Sequence, residues 1–222
     1  MAQAPVRAKQ TTPKGTFVYP YLVKPDHGND KFPDHAGSYK VNLKMTEEQA
    51  APLLAILQPI YNECIQSGTE SFNNLKIESR KKLKSLSEIP LYVTEYDEVT
   101  EEPTGNILFK FATKASGINA KGDAWTRTLP IFDASGKSFK PASVMGGTTG
   151  KVSFEAAPYF IPGTGSAGVK LYLNAVQIIS LSETGSGGGS GTGFGFAKEE
   201  GYTAEEELTQ AQFSADADDD NF

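Results

Sequence analysis

The chain is poor in the residues from which most enzyme sites are built. Its single cysteine, Cys64, excludes an intramolecular disulfide and a cage of thiolate ligands, and it fits a reducing compartment. The two histidines, His27 and His35, stand beside turn-forming residues and offer little material for a metal site or a nucleophile–histidine pair. No run approaches the roughly 20 apolar residues needed to span a bilayer, and the first residues lack the apolar segment of a signal peptide. A soluble, unexported protein with no membrane partner is the expectation. What is present, 222 residues at 38% hydrophobic composition, suffices for one sizeable core.

The net charge of -6 conceals a division. From Lys198 onward there are nine acids against that one lysine, which leaves 18 acids and 20 bases in the body, a balance of +2. The chain ends F-S-A-D-A-D-D-D-N-F, with Asp216, Asp218, Asp219 and Asp220 beside the terminal ring of Phe222. Such a run repels itself and buries too little apolar surface to offset its ordering entropy, so a mobile tail is expected. Dense negative charge beside a flat π-face imitates single-stranded nucleic acid, and a mildly basic body with such a tail suggests a phosphate-bearing partner with which the tail competes.

Residues 1–14 read as a flexible basic arm. In Gly15–Lys24, Phe17, Tyr19, Tyr21 and Val23 recur at period two, the mark of a half-buried strand, while Pro20 removes a ladder donor and implies an edge or bulge. Residues 25–37 are rich in turn formers and read as a loop. Tyr39, Val41, Leu43 and Met45 then alternate with Lys40, Asn42 and Lys44, giving a strand with one apolar and one basic face. Thr46-Glu47-Glu48-Gln49 is a capping box, and the apolar spacing beyond it predicts a helix to about Ser67 with a kink at Pro59. The bases Lys76, Arg80, Lys81, Lys82 and Lys84 read as a solvated face. Further strands are predicted around 89–93, 107–115, 125–132, 151–160 and 169–181. One early helix among six or seven short antiparallel strands points to a small barrel or sandwich. Residues 183–202, with Gly185–Gly195 almost wholly Gly and Ser, form a linker to the acidic tail at 203–222.

Two glycine-rich stretches resemble nucleotide loops but lack the mechanism. Gly163–Gly168 has no following helix whose N-terminus could hold a phosphate, and Gly146–Lys151 is one residue short, with Val152 where a hydroxyl is needed. Carboxylate pairs such as Glu101 and Glu102 sit in polar loops where nothing raises a pKa for acid catalysis. No catalytic residue, cofactor or metal is assigned. The remaining signal is aromatics beside bases: Tyr39 with Lys40, Lys110 between Phe109 and Phe111, Trp125 with Arg127, and Tyr159 with Phe160. A surface gripping a flexible strand needs cations for phosphates and rings for bases. Most period-two aromatics are core, so Trp125, Tyr159 and Phe160, which begin or end strands, are the favoured exposed rings. Together with Lys114, these residues form the candidate nucleic-acid site.

The order and spacing of several segments resemble the single-stranded-DNA-binding replication proteins of tailed bacteriophages, of the T-seven type. The likeness lies in Tyr21 to Leu43, Phe109-Lys110-Phe111 with Ala115-Ser116, Met145-Gly146-Gly147, the run from Lys151 through Pro158-Tyr159 to Leu181, and the acidic end at Phe222. The resemblance implies an OB-fold over 15–182: a five-stranded antiparallel barrel with extra strands, one amphipathic helix and a groove for single-stranded DNA. By position it implies stacking on Tyr159 and phosphate contact at Lys110. It further implies a tail, Asp216 to Phe222, that docks the replicative polymerase and helicase-primase and competes with DNA for the groove. Replication and recombination in the cytoplasm of an infected bacterium follow, and self-association stays open. Two bases of the family pattern are absent: His35 and Ala36 precede Gly37, and Ala112 stands two residues after Lys110. Lys40, Lys114 or the Lys76–Lys84 cluster then supply the charge. The rivals are a β-rich phage structural or protein-interaction protein without nucleic-acid binding, which leaves the acidic tail unexplained, and a nuclease, which needs clustered carboxylates for metals.

Overall fold

The computed structural model describes residues 8–182. A short strand β1 (Lys9–Thr11) precedes two long ones, β2 (Gly15–Asn29) and β3 (Phe32–Thr46), which form a hairpin. Helices α1 (Glu47–Asn73) and α2 (Ile77–Leu83) follow, then β4 (Ser87–Glu88), β5 (Val93–Tyr96), β6 (Pro103–Lys114), β7 (Ser116–Ile118), β8 (Ala124–Thr126), β9 (Ile131–Phe132), β10 (Thr149–Ile161) and β11 (Ser166–Ser180). Five of these close a barrel. β2 pairs β3, β3 pairs β6, β11 pairs β10 and β10 returns to β2, all antiparallel, while β6 and β11 run parallel. Counted within the barrel, the order is first, second, third, fifth, fourth and back to the first, which is the OB-fold.

Alternation along the strands decides what faces in. Val41, Leu43 and Met45 of β3 and Ile107, Phe109 and Phe111 of β6 are buried, and they meet Phe17, Phe154 and Leu173 from β2, β10 and β11. Phe111 and Phe154 pack edge to face at 5.2 Å between centroids. Each such side chain contributes roughly 1.5–3 kcal/mol by leaving water.

The capping box forms as the sequence predicts. The Gln49 N–H donates to Thr46 Oγ1, and the Thr46 N–H donates to Gln49 Oε1, both at 3.2 Å. Leu53, Leu57, Cys64, Gly68 and Phe72 make the buried stripe of α1. The helix runs to Asn73, beyond the expected end near Ser67, and continues through Pro52 and Pro59. Both prolines are exposed, so water can satisfy the carbonyls they leave without an N–H partner. Gly68 is needed for packing, because a Cβ there would lie 2.7 Å from the Ala167 Cβ on β11. Cys64 serves the same contact, its Sγ donating to the Gly168 carbonyl at 3.1 Å.

Two expectations are corrected. Residues 25–37 are the two arms of a hairpin, with a turn only at Asp30–Lys31. Its register shifts between Val18 and Tyr21, where the bulge implied by Pro20 lies. The amino-terminal arm is held at residues 9–12: β1 pairs β10, and buried Thr12 exchanges hydrogen bonds of 2.9 Å with Val152 through its N–H and its Oγ1. Arg80, Lys81 and Lys82 lie on α2 with Lys76 and Lys84 at its two ends, and Lys76, Lys81, Lys82 and Lys84 are exposed, in keeping with a solvated face. The linker and the acidic tail lie outside the described residues.

Candidate nucleic-acid interface

Period-two alternation turns the basic side chains of β3 and β6 outward as surely as it turns the apolar ones inward. Ladder pairing places Ser38 opposite Lys114, Lys40 opposite Ala112, Asn42 opposite Lys110 and Lys44 opposite Leu108, so four lysines share one outer face of the barrel. Three of them carry a carboxylate. Lys40 pairs with Asp26, Lys44 with Glu95 at 3.1 Å, and Lys114 reaches both oxygens of Asp34 at 2.7 and 2.8 Å. The lysine bonds hold the Asp26 and Asp34 carboxyls below their ordinary 3.8, helped by the Gly28 N–H and the Ser38 hydroxyl respectively. Lys110 has no carboxylate partner among the described residues.

Beside Lys110 the face deepens into a cleft of about 650 Å³ between residues 89–93 and the outer surfaces of β6, β10 and β11. Its walls are apolar, from Ile89, Leu91, Tyr92, Ile161 and Val169, with Lys110 and Lys170 as its two cations. Tyr159 lies across Gly168, where an added Cβ would stand 3.0 Å from the phenol oxygen, so the bare glycine backbone makes room for the ring. Burial, and secondarily Cys64, pushes that phenol above its ordinary 10.0, further still from physiological pH. Neutral, half-buried and flanked by two lysines, it offers a π-surface beside cations.

The sequence-selected residues divide. Lys110 and Tyr159 share the cleft, and Lys40 and Lys114 stand on the same outer face. Tyr39 is a correction: it is 6% exposed and belongs to the core, because its neighbour Lys40 necessarily points the other way. Phe160 is a second one. It is absent from the Lys110 cleft and lines a smaller one, about 270 Å³, against Ile60, Cys64 and Ser67 of α1, which Tyr159 borders as well. Trp125 lies on the separate two-stranded sheet of β7 and β8, half-buried with its indole against Gly117. Arg127 stacks over it at 5.5 Å and bonds Thr113 of β6, so both form a small unit at the end of that strand. Lys170, Tyr21 and Tyr172 went unselected. Lys170 sits over Tyr172 at 4.9 Å, and Lys40 over Tyr21 at 5.0 Å, the cation-and-ring pairing that adjacency along the sequence fails to reveal in strands.

Among the described residues no three His, Cys, Asp or Glu side chains converge to hold a metal ion, and no helix is long and apolar enough to cross a membrane.

Known proteins are similar to this chain in sequence and in structure. The single-stranded DNA-binding protein of Enterobacteria phage T3 is 28% identical over 197 residues, spanning 85% of this chain and 82% of that protein. That of Escherichia phage T7 is 26% identical over 174 residues, spanning 75% and 73%. The crystal structure of gp2.5, a single-stranded DNA-binding protein encoded by bacteriophage T7, superposes with a TM-score of 0.62 at 24% identity over 90% of this chain and 100% of that one, a likeness of fold. Residues 15–181, the whole barrel with its helices, match the family described as single-stranded DNA-binding protein, bacteriophage T7, and the chain therefore belongs to that family.

Proposed function

We propose that this protein binds single-stranded DNA without regard to sequence, in phage DNA replication and recombination. The observation that carries this is the apolar cleft on the outer face of the OB barrel, with the neutral ring of Tyr159 inside it and Lys110 and Lys170 as its cations. Bases stack on the ring while the lysines displace counterions from the phosphates. Lys40 and Lys114 extend the cationic face, and Trp125 with Arg127 stands at the end of β6, where a longer strand would pass. The family's names and the shape of the cleft support the same ligand. The role is one of binding, not catalysis.

The acidic tail, Asp216, Asp218, Asp219 and Asp220 with Phe222, recruits the replicative polymerase and helicase-primase and competes with DNA for the cationic face. Its composition supports this, since it offers the same negative charge and terminal ring that a DNA strand offers. The site of action is the cytoplasm of the infected bacterial host.

Titration of a fluorescent oligo-dT by anisotropy, from about 50 to 200 mM salt, against a duplex of the same length tests the reading. Tight, salt-sensitive binding to the single strand and weak binding to the duplex are expected. Equal affinity for both, or no binding at low salt with the tail removed, overturns it.

A further inference from the structure

Ladder pairing lines up one row of outward residues across four strands of the barrel: Tyr21 on β2 opposite Lys40 on β3, Lys40 opposite Ala112 on β6, and Ala112 beside Tyr172 on β11. Each end of the row is a tyrosine with a lysine ammonium over its ring, Lys40 at 5.0 Å and Lys170 at 4.9 Å. Between the two ends stand Lys40, whose ammonium is drawn over the Tyr21 ring, and Ala112, the smallest side chain in the row. Strands spaced roughly 4.8 Å apart put the rings about 14 Å from each other. Tyr172 is also joined to the cleft, because Lys170 belongs to both. Beyond Tyr172 the row meets Glu155, whose carboxylate repels phosphate and bounds the surface on that side.

We infer that Tyr21 and Tyr172 are base-stacking residues, the two ends of a track that carries the DNA strand out of the Tyr159 cleft and across β11, β6 and β3 to the edge of β2. Lysine over the ring orients each tyrosine and supplies a phosphate cation, and a base stacks on the tyrosine. Ala112 gives the strand a low saddle between Tyr172 and Lys40. This rests on the single-strand-binding role proposed above. It makes that role more extended: Tyr159, Tyr172 and Tyr21 become successive stacking platforms, in that order along the track. Tyr21 is 43% exposed, which leaves it available to a ligand and replaceable without loss of core packing.

The experiment compares the full chain with Tyr21→Ala, Tyr172→Leu and Ala112→Trp, on oligo-dT and on an abasic sugar-phosphate strand of equal length, with thermal melting of each protein alongside. Loss of stacking weakens oligo-dT binding about tenfold in each tyrosine variant. Binding of the abasic strand stays as in the unaltered protein, because it has no bases to stack. Ala112→Trp, which blocks the saddle without touching either tyrosine, weakens binding of both strands. If the unaltered protein binds oligo-dT tightly and Tyr21→Ala and Tyr172→Leu bind it equally well, the track is wrong while the binding role stands. A parallel loss on both strands in a tyrosine variant with unchanged melting would also overturn stacking. Failure of the unaltered protein to bind either strand would overturn the role and the track together.

Discussion

Asp34→Asn tests whether the carboxylates on the cationic face restrain DNA binding. Lys114 holds both oxygens of Asp34 at 2.7 and 2.8 Å, with the two side chains 53% and 25% exposed. An ion pair as exposed as this contributes about 0–1 kcal/mol. A phosphate that recruits Lys114 must first break the pair, so removing the aspartate charge relieves at most about fivefold in affinity. Counterion release gives a second, independent figure. One more free lysine on a single-stranded backbone steepens the slope of log K against log salt by about 0.7, which at 0.1 M is again roughly fivefold and vanishes toward 1 M. Asparagine keeps an acceptor for the Ser38 hydroxyl, which donates to Asp34 at 2.7 Å, so the hairpin should hold its shape. Anisotropy titrations of oligo-dT across a salt series would then give two lines that diverge at low salt and meet at high salt. Parallel lines, or weaker binding by the variant, would refute the idea that Lys114 is a restrained phosphate contact.

Further outcomes follow from the same geometry. Tyr159→Leu should lower oligo-dT affinity about tenfold while leaving the salt slope unchanged, since a ring is lost and no cation; a changed slope in the titration would contradict the assignment. Phe109→Ala removes a fully buried ring and should cost about 3–5 kcal/mol in chemical denaturation; a loss under 1 kcal/mol would mean the barrel interior is loosely packed. The Asp26 and Asp34 carboxyls are held below their ordinary 3.8, so the stability they contribute is complete above that value and is lost as pH falls through the lower folded ones. The melting difference between the unaltered protein and Asp26→Asn/Asp34→Asn should therefore stay constant from about pH 8 to 5 and shrink only under stronger acid. A difference that varies within the neutral range would show that other groups control these pairs.

The parts of the fold written in local sequence were legible. Alternation in Tyr39–Met45 and Ile107–Phe111 fixed both the strands and their inward faces, and Thr46 with Gln49 fixed the start of α1. The parts set by distant partners were not. Residues 25–37 look like a loop because Pro, Asp and Gly dominate locally, yet they are held as hairpin arms by Lys40 on Asp26 and Lys114 on Asp34. Helix α1 passes its expected end near Ser67 because the barrel uses Gly68, a poor helix former on its own, to bring the helix against Ala167. The same division holds for the site. Lys110 and Tyr159 came from aromatic and basic residues near each other in sequence and from the family likeness. Tyr39 fails because residues adjacent along a strand face opposite ways; Tyr21 meets Lys40 across strands, and Tyr172 meets Lys170 two residues away on the same face of β11, neither of which adjacency reveals.

The most direct test of the central claim is to photo-crosslink an iodouracil-substituted oligo-dU to the full chain and map the attached residues by mass spectrometry. Crosslinks at Tyr159, Tyr172 and Tyr21, competed away by unlabelled oligo-dT, are the predicted result. Crosslinks confined to α1, or to the β7 and β8 hairpin, with none on the outer face of β2, β3, β6, β10 and β11, would contradict it.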